Sequence, residues 1–224
     1  MKRFEYEYVS SLREMGDIYL VNDNVIYIAA NDPNIIAPLI TRLSEFQESP
    51  EFAGKYFTLD EYKEWYTKQS GNEEFTYAQD WCGWNVSSDI IDKFYKLFDD
   101  GKQERFLNTI EMLLRDVLKW FKDNYHLKRY YLIVTLGDSI KKALGNGGKL
   151  DGLFRHEFKH AMFFLDEEYR KLVLTEWKRN RVATNLNGIG YNTNDPLLVI
   201  DENNAYRGSD KANHYFENRY LLTI

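Results

Sequence analysis

An α+β domain is expected from this chain of 224 residues, and three observations predict it. Short segments of period-two alternation crowd the first thirty residues, a long helical-period run occupies residues 106–121, and a compact apolar run follows at residues 130–136. Alternation at every second residue marks half-buried strands, whereas apolar recurrence at three and four residues marks a helix packed along one side. Together they suggest a small, mostly antiparallel sheet packed on helices.

Taken in order, residues 3–9, then 18–21 and 25–29 around the turn-forming Asn22-Asp23-Asn24, read as an antiparallel meander. Asn31-Asp32-Pro33 opens an amphipathic helix running towards Phe46. Thr58-Leu59-Asp60-Glu61 is a capping-box pattern, which places Tyr62, Trp65 and Tyr66 on a short helix. Ser88 is expected to cap another, with Ile91, Phe94, Tyr95 and Phe98 turned inward.

Between those two helices lies the unusual stretch 75–85, with Trp81 and Trp84 on either side of Gly83. It reads as a strand and corner tucked under the core, the alternative being a rigid, amphipathic contact surface. Phe106, Leu107, Ile110, Leu113, Leu114, Val117, Leu118 and Phe121 mark a central core helix. Residues 130–136 form the clearest strand, ending before Gly137. Gly145-Asn146-Gly147-Gly148-Lys149 lacks phosphate-loop spacing, with Leu150 standing where a Ser or Thr belongs, and reads as a flexible turn. The Asn- and Gly-rich stretch 183–195 is the longest irregular segment, suited to a cleft rim or lid.

The most informative segment is His156-Glu157-Phe158-Lys159-His160. Two histidines four residues apart on a helix project from one face, so both imidazoles can reach a single Zn²⁺. Glu157 then stands beside the metal, where it can take a proton from water attacking a carbonyl. Phe154, Phe158, Ala161, Met162 and Leu165 form an apolar stripe opposite the histidines, which predicts one face in the core and the other on a cleft. A catalytic zinc takes a third protein ligand. The acidic and imidazole candidates downstream are Asp166, Glu167, Glu168, Glu176, Asp201, Glu202, Asp210, His214 and Glu217. Asp166, Glu167 and Glu168 are too close in sequence to fold back, and read as the stop of one helix and the cap of the next.

His156, Glu157 and His160, followed by Asp201-Glu202-Asn203-Asn204-Ala205-Tyr206, make the last third of the chain resemble the gluzincin metallopeptidases. Their signature is HExxH followed on a later helix by a glutamate ligand. The resemblance implies a zincin-like α+β fold in which one Zn²⁺ per chain is held by His156, His160 and Glu202, with Glu157 as general base. The gap from His160 to Glu202 is longer than in the thermolysin-like members, so Glu176 and His214 stay in play as third ligand. In such a fold an edge strand borders the cleft and pairs with an extended substrate, and residues 130–136 are assigned that place. Asp201 is a candidate acceptor for the outer N–H of a ligand histidine, its other role being to cap the helix that Glu202 begins. Tyr206, His214 and Tyr215 are candidate donors to the oxyanion of a tetrahedral intermediate.

Composition bounds the rest. Thirty-five acidic against 29 basic residues give a formal charge of −6 and no basic field for nucleic acid. The single Cys82 excludes an internal disulfide and reads as a small buried hydrophobe. No signal-like or membrane-spanning run is present, so a cytoplasmic protein is expected, with signal-independent export compatible with the same sequence. The expected organisation is one domain over residues 1–224, with a lobe of sheet and helices to residue 100 and a metal-binding catalytic core from 101. The expected activity is hydrolysis of peptide or protein substrates, with no nucleic-acid or membrane partner; nothing in the sequence sets an oligomeric state. Two other classes fit the same residues. One is an inactive binding protein that keeps a structural zinc or uses the surface from Trp81 to Trp84; the other is a zinc amidase or esterase acting on a small molecule.

Overall fold

Alternating side chains divide the four longer strands of this α+β protein between two helical layers. The computed structural model describes residues 2–3, 15–99, 106–137, 152–179, 186 and 193–221. Within them, five strands form one mixed sheet in the order β1-β2-β3-β5-β4. The strands are β1 (Lys2–Arg3), β2 (Asp17–Val21), β3 (Val25–Ala30), β4 (Gly83–Ser87) and β5 (Tyr131–Leu136). β3 and β5 run parallel, and the other neighbours are antiparallel. The pairing therefore draws on both sides of residue 100. Of the expected strand at residues 3–9, only its first residue belongs to β1; residues 4–9, the 145–149 turn and most of the 183–195 stretch lie outside the described residues.

The β2–β3 hairpin follows directly from its turn. Asn22 and Asp23 take φ values of 48° and 58°, a left-handed conformation that Asn and Asp tolerate better than other side chains. The register it sets, Val21 opposite Val25 and Ile18 opposite Ile28, keeps every apolar side chain on its proper face. Ile18, Leu20, Ile26, Ile28, Leu132 and Val134 point to one layer; Tyr19, Val21, Tyr27, Tyr131 and Ile133 point to the other.

The first layer comes from the amino-terminal half and its neighbour. Asp32 caps α1 (Pro33–Ile36), which passes through a π-helical turn (Ala37–Thr41) into α2 (Arg42–Glu48). The turn contains Pro38, which has no N–H to place in a regular ladder. α3 (Leu59–Ser70) starts on the expected Thr58–Glu61 capping box. A short α4 (Tyr77–Asp80) leads into β4, and α5 (Ser88–Lys96) follows it. Ser87, not Ser88, occupies the cap of α5; the Ser88 hydroxyl instead accepts the Tyr130 N–H at 3.3 Å. The core helix is α6 (Thr109–Asn124), opened by an Asn108–Glu111 capping box, so the expected leading residue Phe106 lies outside it and is exposed.

The second layer holds α7 (Gly152–Leu165), α8 (Glu167–Arg179), α9 (Pro196–Tyr206) and α10 (Asp210–Phe216). Phe154, Phe158, Ala161 and Met162 of α7 pack on the sheet, each phenylalanine contributing about 1.5–3 kcal/mol by burial. Asp166 separates α7 from α8 and accepts the Glu168 and Tyr169 amides at 2.8 and 3.0 Å, the capping role expected of it.

The edge of the sheet is not where the sequence places it. β5 lies between β3 and β4, buried along nearly its whole length, and β4 is the edge. Continuous apolar sequence such as Tyr-Leu-Ile-Val-Thr-Leu belongs to an interior strand covered on both faces, which is the physical reason for the correction. Trp84 and Val86 face the first helical layer and Asn85 faces the second, so the Trp81 to Trp84 stretch carries the edge strand itself. Cys82 is exposed rather than buried, one residue before β4 begins. Among the described residues no helix is long and apolar enough to cross a membrane.

Candidate metal centre

Two helices bring the candidate ligands together. α7 presents His156 and His160 one turn apart, because its sheet-facing stripe fixes its rotation. α9 begins with Asp195 accepting the Leu197 amide at 2.8 Å and Pro196 in the first turn, a start that needs no N–H from the proline. Asp201 is therefore a mid-helix residue rather than the expected cap. α9 packs closely on α7 through buried Ala205, and the Lys159 ammonium donates to the Asn204 carbonyl at 3.2 Å. Burial, then the nearby Arg155, lowers that ammonium to about 8.

His156, His160 and Glu202 each offer one donor atom, all within 4.8 Å of one another. The two Nε2 atoms are 3.2 Å apart, His160 Nε2 is 3.6 Å from Glu202 Oε1, and His156 Nε2 is 3.9 Å from Glu202 Oε2. A tetrahedral ion with bonds of about 2.0–2.1 Å needs donors about 3.3 Å apart, so the set fits zinc in both chemistry and spacing. The ring atoms turned away from the centre are also held. His160 Nδ1 lies 2.9 Å from Asp201 Oδ2, and His156 makes a hydrogen bond with the backbone of Ala205. Such partners fix tautomer and ring orientation.

Electrostatics agree with a cation site. Burial, with the charges of His160 and Lys159, lowers His156 to about 3, which keeps its ring neutral and available as a ligand. Burial alone would lower His160, but the Asp201 and Glu202 carboxylates outweigh it and hold this imidazole well above its ordinary range. The centre of the group thus favours positive charge.

Glu157, pointing beside this group, is buried and held from the sheet. Its Oε2 accepts the Asn85 amide at 2.8 Å, and the Tyr131 hydroxyl donates to Asn85 Oδ1 at 2.5 Å. The carboxylate, which only accepts, fixes which way the amide points, and the tyrosine hydroxyl then donates to the amide oxygen. Burial raises the Glu157 carboxyl above its ordinary range, against the opposing pull of His160 and Asn85. Gly83 completes the fit: a Cβ there would lie 2.5 Å from Glu157 Oε1 and 2.9 Å from Leu153 Cδ1.

A cleft of about 900 Å³ opens on these residues, running from His156, Glu157 and Tyr206 along the edge of β4 to α2 and α3. Tyr206 sits at its mouth, its ring edge-on to His156 with centroids 4.5 Å apart, as its position one turn after Glu202 implies. The other expected participants are not brought in. His214 is exposed on α10 with its Nε2 2.9 Å from the Asn218 amide. Glu176 pairs with Arg179 and Lys211 at 3.2 and 3.7 Å, beside a different hollow between α8 and α10. Tyr215 donates to Glu168 at 3.1 Å.

Three contributors escaped the sequence reading: Asn85, Tyr131 and Glu48. Asn85 lies 72 positions from Glu157, and only the sheet register joins them. Glu48 stands close enough to the centre that burial and then the Glu202 carboxylate push its own carboxyl well above the usual range. Helical spacing from Arg42 to Glu48 was the available signal, since it puts Glu45 and Glu48 one turn apart on one face. Compared with protein-family models, with curated proteins and with solved structures, the chain has no match, and its functional reading rests on this geometry.

Proposed function

We propose that this chain is a zinc-dependent metallopeptidase of the gluzincin type, built on a zincin-like fold, with one ion per chain held by His156, His160 and Glu202. The observation that carries the reading is the convergence of these three donors beside a buried, oriented Glu157 at the open edge of a sheet. Zinc, when bound, supplies a Lewis acid that polarises a carbonyl and acidifies water.

The chain's own residues do the rest. Asn85 occupies Glu157 Oε2, which leaves Oε1 to take a proton from the attacking water and pass it to the leaving amine. Burial of that carboxyl raises its basicity, the direction such a transfer needs. Asp201 retains the Nδ1 proton of His160, so the proton given up on ligation is the one on Nε2. Tyr206, at the mouth beside His156, is placed to donate to a developing oxyanion.

Substrate geometry follows from β4. Cys82 O and Ser88 N bond to β5 at 3.1 and 3.0 Å, so by alternation Trp84 and Val86 do as well, and the Gly83 and Asn85 amides point off the edge. An extended peptide can pair with that rung, next to Glu157.

Elemental analysis after dialysis tests the ligand set. Wild type and Glu176→Ala should each retain about one zinc per chain, and Glu202→Ala should retain essentially none. Absence of zinc from the wild type after refilling would overturn the reading. Glu157→Gln should keep its zinc and lose about 10²–10⁴-fold in turnover of a peptide substrate; full activity would remove its assigned role.

A further inference from the structure

The cleft does not end at the metal-binding group. It continues across the β4 edge into a compartment on the other side of the sheet, walled by Tyr62, Trp65 and Tyr66 of α3 and by Tyr77. Glu45 of α2 forms its acidic side, with Asp80 of α4 at its rim. Among the described residues that line the whole cleft there is no Lys or Arg. Glu45 accepts the Tyr77 hydroxyl at 2.7 Å and Asp80 accepts the Tyr66 hydroxyl at 2.7 Å, both neutral donors. Neither carboxylate forms an ion pair with a described basic side chain, although the protein pairs Glu51, Glu111, Glu167, Glu176 and Glu217.

A separate observation points to a ligand in the same space. Trp84 lines the cleft, is only 3 % exposed, and its indole N–H has no hydrogen-bond partner. A buried donor without a partner is rare in a protein interior, and in a cleft it marks a place for an acceptor from ligand or solvent. Trp84 projects from β4 to the compartment's side of the sheet, whereas Asn85 projects to the side of Glu157. The edge strand thus has the metal-binding group on one face and the acidic, aromatic compartment on the other.

A peptide lying along this edge as a further strand places successive side chains on alternate faces. One side chain faces His156 and Glu157, and its neighbour enters the compartment, where carboxylates and aromatic faces both attract a cation. The peptide carbonyl that travels with it is an acceptor of the kind the Trp84 N–H lacks. We infer that this compartment is a specificity subsite for a lysine or arginine side chain of an extended peptide substrate, adjacent to the residue at the metal-binding group. The inference deepens the peptidase reading and rests on it.

Binding and cleavage separate the two. Zinc-loaded Glu157→Gln protein would be titrated calorimetrically with the blocked pentapeptide Ala-Ala-Lys-Ala-Ala and with its norleucine and glutamate counterparts. The lysine peptide should bind about 10–100-fold tighter than the norleucine one, and the glutamate peptide weakest. Adding Glu45→Gln and Asp80→Asn should abolish the preference while zinc per chain stays unchanged. Equal binding of lysine and norleucine peptides, no binding of either, or a preference that survives the added substitutions would each overturn the subsite. In parallel, zinc-loaded wild type would be incubated with a mixed peptide library and the products read by mass spectrometry. Cleavage next to basic residues supports both readings; cleavage with no basic preference overturns the subsite and keeps the peptidase. Selective lysine binding without cleavage of any peptide overturns the peptidase and leaves a cation-selective peptide-binding cleft.

Discussion

Two buried polar clusters lie on opposite faces of the sheet, and they are built to different rules. In the first helical layer Arg42 meets Glu111 through two hydrogen bonds of 2.7 Å, both side chains almost wholly buried. The remaining guanidinium hydrogens reach the Phe57 and Phe106 carbonyls at 2.8 and 3.1 Å, and the cation lies against the Phe94 and Phe98 rings. Glu111 also accepts the Asn108 amide, closing the cap of α6. Every guanidinium nitrogen has an acceptor and the charges cancel, which is how a protein makes a buried charge structural. Around His156 and His160 the carboxyls of Glu48, Glu157, Asp201 and Glu202 outnumber the cations, and Asp201 Oδ1 is buried with no hydrogen-bond partner. The lesson is one of number: the candidate site gathers more carboxyls than the fold's own cations pair, and burial holds Glu48, Glu157 and Asp201 towards their neutral forms.

The comparison can be broken at three points. Glu111→Ala strands the Arg42 cation, so urea unfolding should show a loss of about 3–5 kcal/mol with zinc content unchanged. Asp201→Asn keeps an acceptor for His160 but removes its charge, and competition with a chelator should show zinc held about 10–100-fold more weakly at nearly normal stability. The smallest effect carries the opposite sign to the first. Burial pushes the Glu45 carboxyl from its ordinary 4.5 up to about 7, against hydrogen bonds from Tyr77 and Tyr62. The folded state therefore binds that proton more tightly than the unfolded chain does, and stability falls as pH rises through this window. Glu45→Gln should gain about 1 kcal/mol near pH 8, after discounting for partial exposure, and nothing near pH 4. A destabilised variant near pH 8 would show that Glu45 is as structural as Glu111.

Local rules made much of this legible in advance. The Thr58–Glu61 capping box, the Asn22-Asp23 turn, the Asp166 cap and the stripe on α7 all depend on residues within one or two turns of each other. Glu202 was reachable because a glutamate one turn before Tyr206 follows HExxH, even though the start of its helix was misplaced. The Asp195-Pro196 pair marks that start, and it frees Asp201 to hold His160. What stayed hidden depends on long-range register. Nothing near Gly83 or Asn85 in the chain says that β4 will close the sheet beside Glu157.

Cys82 gives this edge one more property. It is the chain's lone thiol, it is exposed, and it lines the cleft beside Gly83, where backbone and carboxylate approach too closely to admit even a methyl group. Alkylating or oxidising reagents will therefore add bulk at the rung where a peptide would dock, although no thiol chemistry belongs to the proposed reaction. Sensitivity to iodoacetamide would in that case report a blocked doorway, and Cys82→Ser protein would shed the sensitivity while keeping its turnover.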